Sequence, residues 1–301
     1  MAAPSIERLN GIGAHLGKNI IGQPHVLPQV IDALQDGELG LTDPRRPKGS
    51  FLMLGPTGVG KTELCLTFTD YLFGEEHLVR LDMSEYQNQE SVGILLGRSE
   101  NETGLLEKCI SAVGGEGTLL FDEIEKAHPR VLDLLLQILD AARITMANGQ
   151  TLDLSRFYVS CTSNIAARAV LDARHSVRAT LVRFVESQAQ ARLRPEIYAR
   201  FQTVCVFDRL EYDDQLEYDD QLAIARLLLD GEIDRQRDRT GIEIGYRPEI
   251  VPRLVGDGFH PRLGARPMRG CIERSVRSAL RERLLSGSAE NITLEPILTS
   301  S

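Results

Sequence analysis

The sequence predicts an α/β protein: a three-layer α/β/α body with a parallel sheet, followed by a smaller, mostly helical C-terminal domain. Three observations lead there. Short apolar runs near 51–54, 78–82, 118–122, 157–162 and 203–207 alternate with helical stretches near 61–73, 104–113 and 129–140. That alternation feeds parallel strands through helices that cover both faces of a sheet. Gly55-Pro56-Thr57-Gly58-Val59-Gly60-Lys61-Thr62 fits G-x-x-x-x-G-K-[ST] between the first run and the first of these helices. From about residue 209 the pattern turns mostly helical, so the expected domains are 1–208 and 209–301.

Taken in order, residues 1–45 read as one helix and a segment leading to the linker Pro44-Arg45-Arg46-Pro47. Phe51 to Leu54 is a buried strand, and Leu64, Phe68, Tyr71 and Leu72 recur at helical spacing after the glycine-rich loop. Thr118 to Phe121 is a strand ending in Asp122-Glu123. Leu132, Leu135, Leu136 and Leu139 form a helix stripe that reads as core. Residues 141–156, with the turn pair Asn148-Gly149, form an excursion before the strand 157–162, which ends in Ser163-Asn164. In the second domain a helix near 213–238 precedes a short strand around Ile242-Glu243-Ile244, helices near 248–256 and 264–286, and a last strand at 291–295. Glu211-Tyr212-Asp213-Asp214-Gln215-Leu216 repeats at once over 217–222, a local duplication at a helix entry where acids suit the dipole. Arg266, Arg269, Arg274, Arg277, Arg281 and Arg283 are spread around the penultimate element as a solvated face.

Composition narrows the function classes. The 34 basic and 43 acidic residues of the 301 give a net charge of -9, which argues against broad charge-driven nucleic-acid binding. Five scattered cysteines without a C-x-x-C read as reduced thiols, not as a disulfide framework or zinc site. The start of the chain has no leader pattern and no stretch approaches a membrane span, so a cytoplasmic protein is expected.

The glycine-rich loop implies a nucleoside triphosphate with Mg²⁺. Gly55, Gly58 and Gly60 let successive N–H groups turn toward phosphates, and Pro56, Thr57 and Val59 complete the loop. Lys61 reaches the outer phosphates, and the Thr62 hydroxyl is a Mg²⁺ ligand. Asp122 suits a carboxylate that holds Mg²⁺ through water, and Glu123 one that polarises the attacking water. Asn164 is an uncharged donor placed to orient that water, although Asn is also common in plain strand-to-loop turns.

Together these stretches resemble the Clp-type AAA+ ATPases, and most closely the second ATPase module of the ClpB/ClpA chaperones. The resemblance runs from about residue 10 to residue 296. Its anchors are Ile20-Ile21-Gly22-Gln23, Gly49 through Leu64, Leu81-Asp82-Met83-Ser84-Glu85, Leu120 through Pro129, Leu134 through Asp140, Thr162-Ser163-Asn164, Leu193-Arg194-Pro195-Glu196 and Leu263 through Pro267. It implies that Ile20 and Ile21 pack on adenine and that Asn164 is the water-positioning sensor. It further implies that Arg200 is an arginine finger acting on a neighbouring subunit's site, and that Arg266 is a second sensor contacting phosphate. Arg194 matches a neighbouring family arginine. A homo-oligomeric, hexameric ring that remodels protein substrates follows as the leading expectation.

Three departures temper it. The stretch Leu96 to Gly104 lacks the aromatic that the family sets between glycines to grip a threaded polypeptide, and it is shorter than the family pattern. Between Asn164 and Arg194 there is no Ile-Gly-Leu/Phe tripeptide, so docking onto a ClpP-type protease is not expected. The chain reads as one ATPase module standing alone. The alternative is therefore an ATP-switched assembly or regulatory module that threads nothing and acts on a nucleoprotein complex. A nucleic-acid motor is a third class, disfavoured by the acidic balance.

Overall fold

The computed structural model describes residues 6–99, 101–172, 177–210, 215–286 and 291–295. One compact unit comprises 1–56 with 60–208, and a second comprises 57–59 with 209–301.

The first unit opens with α1 (Ile6–Asn19) and α2 (Leu27–Glu38) where the sequence suggested a single helix. Pro28 sits in the first turn of α2, where its missing N–H costs nothing, so the break before it is a helix start. There follow β1 (Gly49–Leu54), α3 (Lys61–Leu72), β2 (Leu78–Asp82), α4 (Gln89–Leu96), α5 (Leu105–Ala112), β3 (Gly117–Asp122) and α6 (Pro129–Ala141). A hairpin of β4 (Arg143–Thr145) and β5 (Thr151–Asp153) precedes β6 (Phe157–Ser163), α7 (Ala167–Asp172), α8 (Arg178–Arg192), α9 (Pro195–Tyr198) and β7 (Thr203–Val206). The main sheet has the order β2-β3-β6-β1-β7, and every neighbouring pair is parallel.

Strands β1, β3 and β6 are buried along their whole length, which explains why they read as continuous apolar runs without alternation. Phe51, Phe68 and Tyr158 pack with ring centroids 5.7–6.1 Å apart beneath α3. The Tyr158 hydroxyl donates to the Leu34 carbonyl (2.9 Å) and to Glu38 Oε1 (3.0 Å), and Lys48 pairs with the same carboxylate at 2.8 Å. These bonds fasten α2 to the sheet. The Thr69 hydroxyl bonds to that of Thr118 at 2.7 Å and fixes α3 against β3. On α6 the fully buried stripe is Val131, Leu135, Ile138 and Leu139. Leu132 and Leu136, expected in that stripe, are only partly buried because they sit beside its axis.

In the second unit, α10 (Gln215–Thr240) leads to β8 (Ile244–Tyr246), α11 (Ile250–Gly258), α12 (Arg266–Ser286) and β9 (Ile292–Leu294). The first short strand lies two residues later than the sequence suggested, because its register is set by parallel pairing of Ile244 to Tyr246 with Ile292 to Leu294. Met268, Ile272, Val276 and Leu280 form the buried stripe of α12 against Val251, Leu254 and Val255 of α11. Arg266, Arg269, Arg274, Arg277 and Arg281 are exposed, in keeping with a solvated face. Residues 211–214 of the tandem duplication lie outside the described residues. No described helix is long and apolar enough to cross a membrane.

Candidate nucleotide site

The sheet order puts β6 between β3 and β1, so the C-terminal ends of these three strands lie side by side. β1 runs into the glycine-rich loop, β3 ends at Asp122, and β6 ends one residue before Asn164. Three sequence-distant signals therefore meet at one edge, as ligand sites of open parallel sheets do.

Gly55 has φ +147°, and a Cβ there would fall 2.8 Å from the Phe207 carbonyl oxygen, so only glycine fits. Gly60 has φ +106° and precedes α3 as its N-cap. No side chain caps this helix, so its first-turn N–H groups remain available to an anion, aided by the helix dipole. Lys61 Nζ donates to the carbonyls of Gly55 (2.7 Å) and Pro56 (2.6 Å) and to Asn164 Oδ1 (3.0 Å). Burial pushes the Lys61 ammonium down to about 8, against the opposing pull of the Glu125, Asp122 and Glu123 carboxylates.

That displacement carries a sign. Between pH 8 and the ordinary value of 10.5 the unfolded chain holds the Lys61 proton more firmly than the folded one. The penalty of burying the charge is thus present in full below pH 8 and is relieved as pH rises. We expect the melting temperature of the nucleotide-free protein, relative to Lys61→Met, to rise between pH 8 and pH 10. A difference that stays flat across this window contradicts the assignment.

Asp122 is buried and held from both sides. Thr162 donates its hydroxyl to Oδ1, the Thr62 hydroxyl lies 3.4 Å from the same oxygen, and Arg80 pairs with Oδ2 at 2.5 Å. Glu123 follows the strand with φ +58°, a left-handed conformation that costs a non-glycine residue about 1–2 kcal/mol. Its N–H donates to Thr162 Oγ1 at 3.0 Å, so one hydroxyl aligns both acids. The turn sends the Glu123 carboxylate away from Asp122, where it pairs with Lys126 and accepts from Asn164 Nδ2 at 3.2 Å. The Asn164 N–H donates to Glu125 at 3.0 Å. Lys61, Asn164, Glu123 and Lys126 thus form a continuous polar chain. The set supplies hard oxygen donors, Thr62 and Asp122, of the kind Mg²⁺ takes. Among the described residues no cluster of three His, Cys, Asp or Glu could hold a metal without such help.

The other predicted residues have surroundings of their own. Ile20 is buried and Ile21 half-buried. Just beyond them Gln23 exchanges two hydrogen bonds of 3.0 Å with the backbone of Asp208, fixing this segment beside the end of β7. Arg200 pairs with Asp140 at the end of α6, and none of Lys61, Asp122, Glu123 or Asn164 is among its partners. Arg194 pairs with Asp133 and Glu196. Arg266 is the exposed first residue of α12 in the second unit. In the stretch without the aromatic, the Leu96 carbonyl accepts from Ala147 (3.1 Å) and the Arg98 N–H donates to Glu102 (3.2 Å), while residue 100 lies outside the described residues. Arg80, Lys126 and Thr162 were not singled out from the sequence. Each stood inside a strand or motif, and only strand adjacency reveals what it touches.

This edge has the layout of a nucleotide-binding domain of the AAA type. Residues 46–204 match the family described as AAA domain (Cdc48 subfamily), and residues 216–294 match the C-terminal, D2-small domain of ClpB protein. The chain belongs to this AAA family, as a Clp-type AAA+ protein with a ClpB-type small domain. It is 37% identical over 289 residues to Chaperone protein ClpB 1 of Synechococcus elongatus, covering 94% of this chain and 32% of that protein. It is 36% identical to Chaperone protein ClpB of Meiothermus ruber, covering 93% and 33%. Among solved structures it resembles the extended conformation of a S. cerevisiae Hsp104:casein complex, with a TM-score of 0.82 and 29% identity over 96% of this chain and 50% of that one. The closed state of Hsp104 with ATPyS and FITC casein gives a TM-score of 0.81 at 27% identity, covering 97% and 51%. The chain spans about a third of the curated relatives and half of the solved chains that it matches.

Proposed function

We propose that this chain binds ATP with Mg²⁺, hydrolyses it within a ring of its own copies, and uses the cycle to remodel a protein partner. The observation that carries the reading is the polar chain from Lys61 through Asn164 to Glu123, with Asp122 held beside Thr62. Lys61 and the uncapped start of α3 bind the phosphates. Thr62 and, through water, Asp122 would hold Mg²⁺, which would supply charge neutralisation at the phosphates. Glu123 accepts a proton from water as the water oxygen bonds to the γ-phosphorus. The bond from that phosphorus to the bridging oxygen breaks, and ADP leaves. Asn164, already bonded to both Lys61 and Glu123, orients the water. Glu123 gives up Lys126 to do this work.

Arg200, paired with Asp140 in its own subunit, acts on the neighbouring site, where a permanently charged planar guanidinium suits the spread charge of the transferred group. Arg266 is the candidate second phosphate-contacting arginine, and Ile20 and Ile21 the adenine contacts. A hexameric ring accords with the Clp-type small domain, and casein in the Hsp104 structures supports a polypeptide as the substrate class.

One observation favours a second output. The stretch around Arg98 has no aromatic and is tied back to Glu102 and Ala147, which suits a regulatory or assembly module that threads nothing. The test uses Glu123→Gln protein with ATP and a fluorescently tagged unfolded polypeptide. Co-migration of the polypeptide with the assembled protein is expected for the remodelling reading. Assembly that ignores polypeptide would replace it with the regulatory one.

A further inference from the structure

Resting on the proposed nucleotide site, we propose that Arg80 is a positioning residue that holds the Asp122 carboxylate and competes with Mg²⁺ for it, so setting how much Mg²⁺ the site needs. Arg80 lies on β2, beside β3, with Arg80 opposite Leu120 and Asp82 opposite Asp122. Alternation along each strand puts Arg80 and Asp122 on one face of the sheet, two residues out of register, a span an arginine bridges diagonally. Its Nη2 meets Asp122 Oδ2 at 2.5 Å, while both hydroxyls that touch this carboxylate are on Oδ1.

The two ends of the pair differ in exposure. The Asp122 side chain is 11% exposed and that of Arg80 is 48% exposed. A buried carboxylate without a counter-charge is costly, so the guanidinium compensates Asp122 as long as no other cation does. Being half in water, Arg80 can swing outward at little cost when a hydrated divalent cation takes over the oxygen. Two cationic groups beside one carboxylate repel, so the guanidinium raises the concentration at which Mg²⁺ prevails.

Three variants of the chain test this, each in the Glu123→Gln background so that binding is read without turnover. Binding of a fluorescent ATP analogue is followed across a Mg²⁺ concentration series. Arg80→Gln is expected to lower the Mg²⁺ midpoint by roughly three- to tenfold, the scale of a like-charge repulsion near a protein surface. Arg80→Lys, which keeps the charge but not the fork, is expected between Gln and wild type. Binding measured in EDTA gives the Mg²⁺-free reference for each variant. Arg80→Ala gives a third reading, and thermal melts establish which variants fold. A midpoint unchanged or raised in folded Arg80→Gln and Arg80→Lys overturns the proposal, because a merely structural salt bridge would not move it downward. If the parent protein showed no Mg²⁺-dependent nucleotide binding, the nucleotide site itself would fall, an outcome distinct from failure at Arg80.

Discussion

Glu123→Gln slows ATP hydrolysis by about 10²–10⁴-fold while nucleotide binding persists. The expectation follows from the division of labour at the strand edge. Lys61, Thr62, Asp122 and the start of α3 make the binding surface, and the Glu123 carboxylate is held by Asn164 and Lys126. Glutamine keeps the size of the side chain and can still bond to Asn164, but it cannot accept a proton from water. The left-handed turn at Glu123 depends on the backbone and on Thr162, so the substitution leaves the local fold in place. Single-turnover hydrolysis beside equilibrium binding checks it. A mutant that hydrolyses at the parent rate removes Glu123 from the mechanism, and one that fails to bind ATP indicates a structural role.

Arg200→Ala has the second large effect: a loss of about 10³-fold or more in hydrolysis, with binding to the isolated chain unaltered. In its own subunit Arg200 pairs with Asp140 at the end of α6. Removing it should therefore leave the local site intact and act only when subunits meet. The guanidinium is partly exposed, so the ion pair with Asp140 contributes little stability, and the fold tolerates the change. Nucleotide affinity at dilution and turnover in the assembled state separate the two effects. Full turnover in assembled Arg200→Ala would reject the finger assignment.

How much of this was legible follows from where each signal lives. β1, β3 and β6 are buried on both faces and read as apolar runs, so their ends, and with them Lys61, Asp122, Glu123 and Asn164, could be placed from the sequence alone. α8 escaped notice because it buries only Val185 and Ala189, which leaves no stripe to detect. α4 is eight residues long and buries only Val92 and Leu95, too little for a period. The fastening of the acids was also invisible. Thr162 serves Asp122 and Glu123 only because β6 lies beside β3, and Arg80 reaches Asp122 only because β2 flanks the other side. Cross-strand neighbours carry no mark in the linear chain. A left-handed glutamate is likewise unmarked, since sequence rules anticipate glycine or asparagine there.

If Arg200 of a neighbouring copy completes the proposed site, hydrolysis depends on assembly. The most direct measurement is the specific rate of ATP hydrolysis across a range of protein concentrations, with the mass of the protein followed by sedimentation in the same solution. The rate per chain is expected to climb with assembly and to be near zero for the monomer. A monomer that hydrolyses ATP as fast per chain as the assembled protein would contradict it.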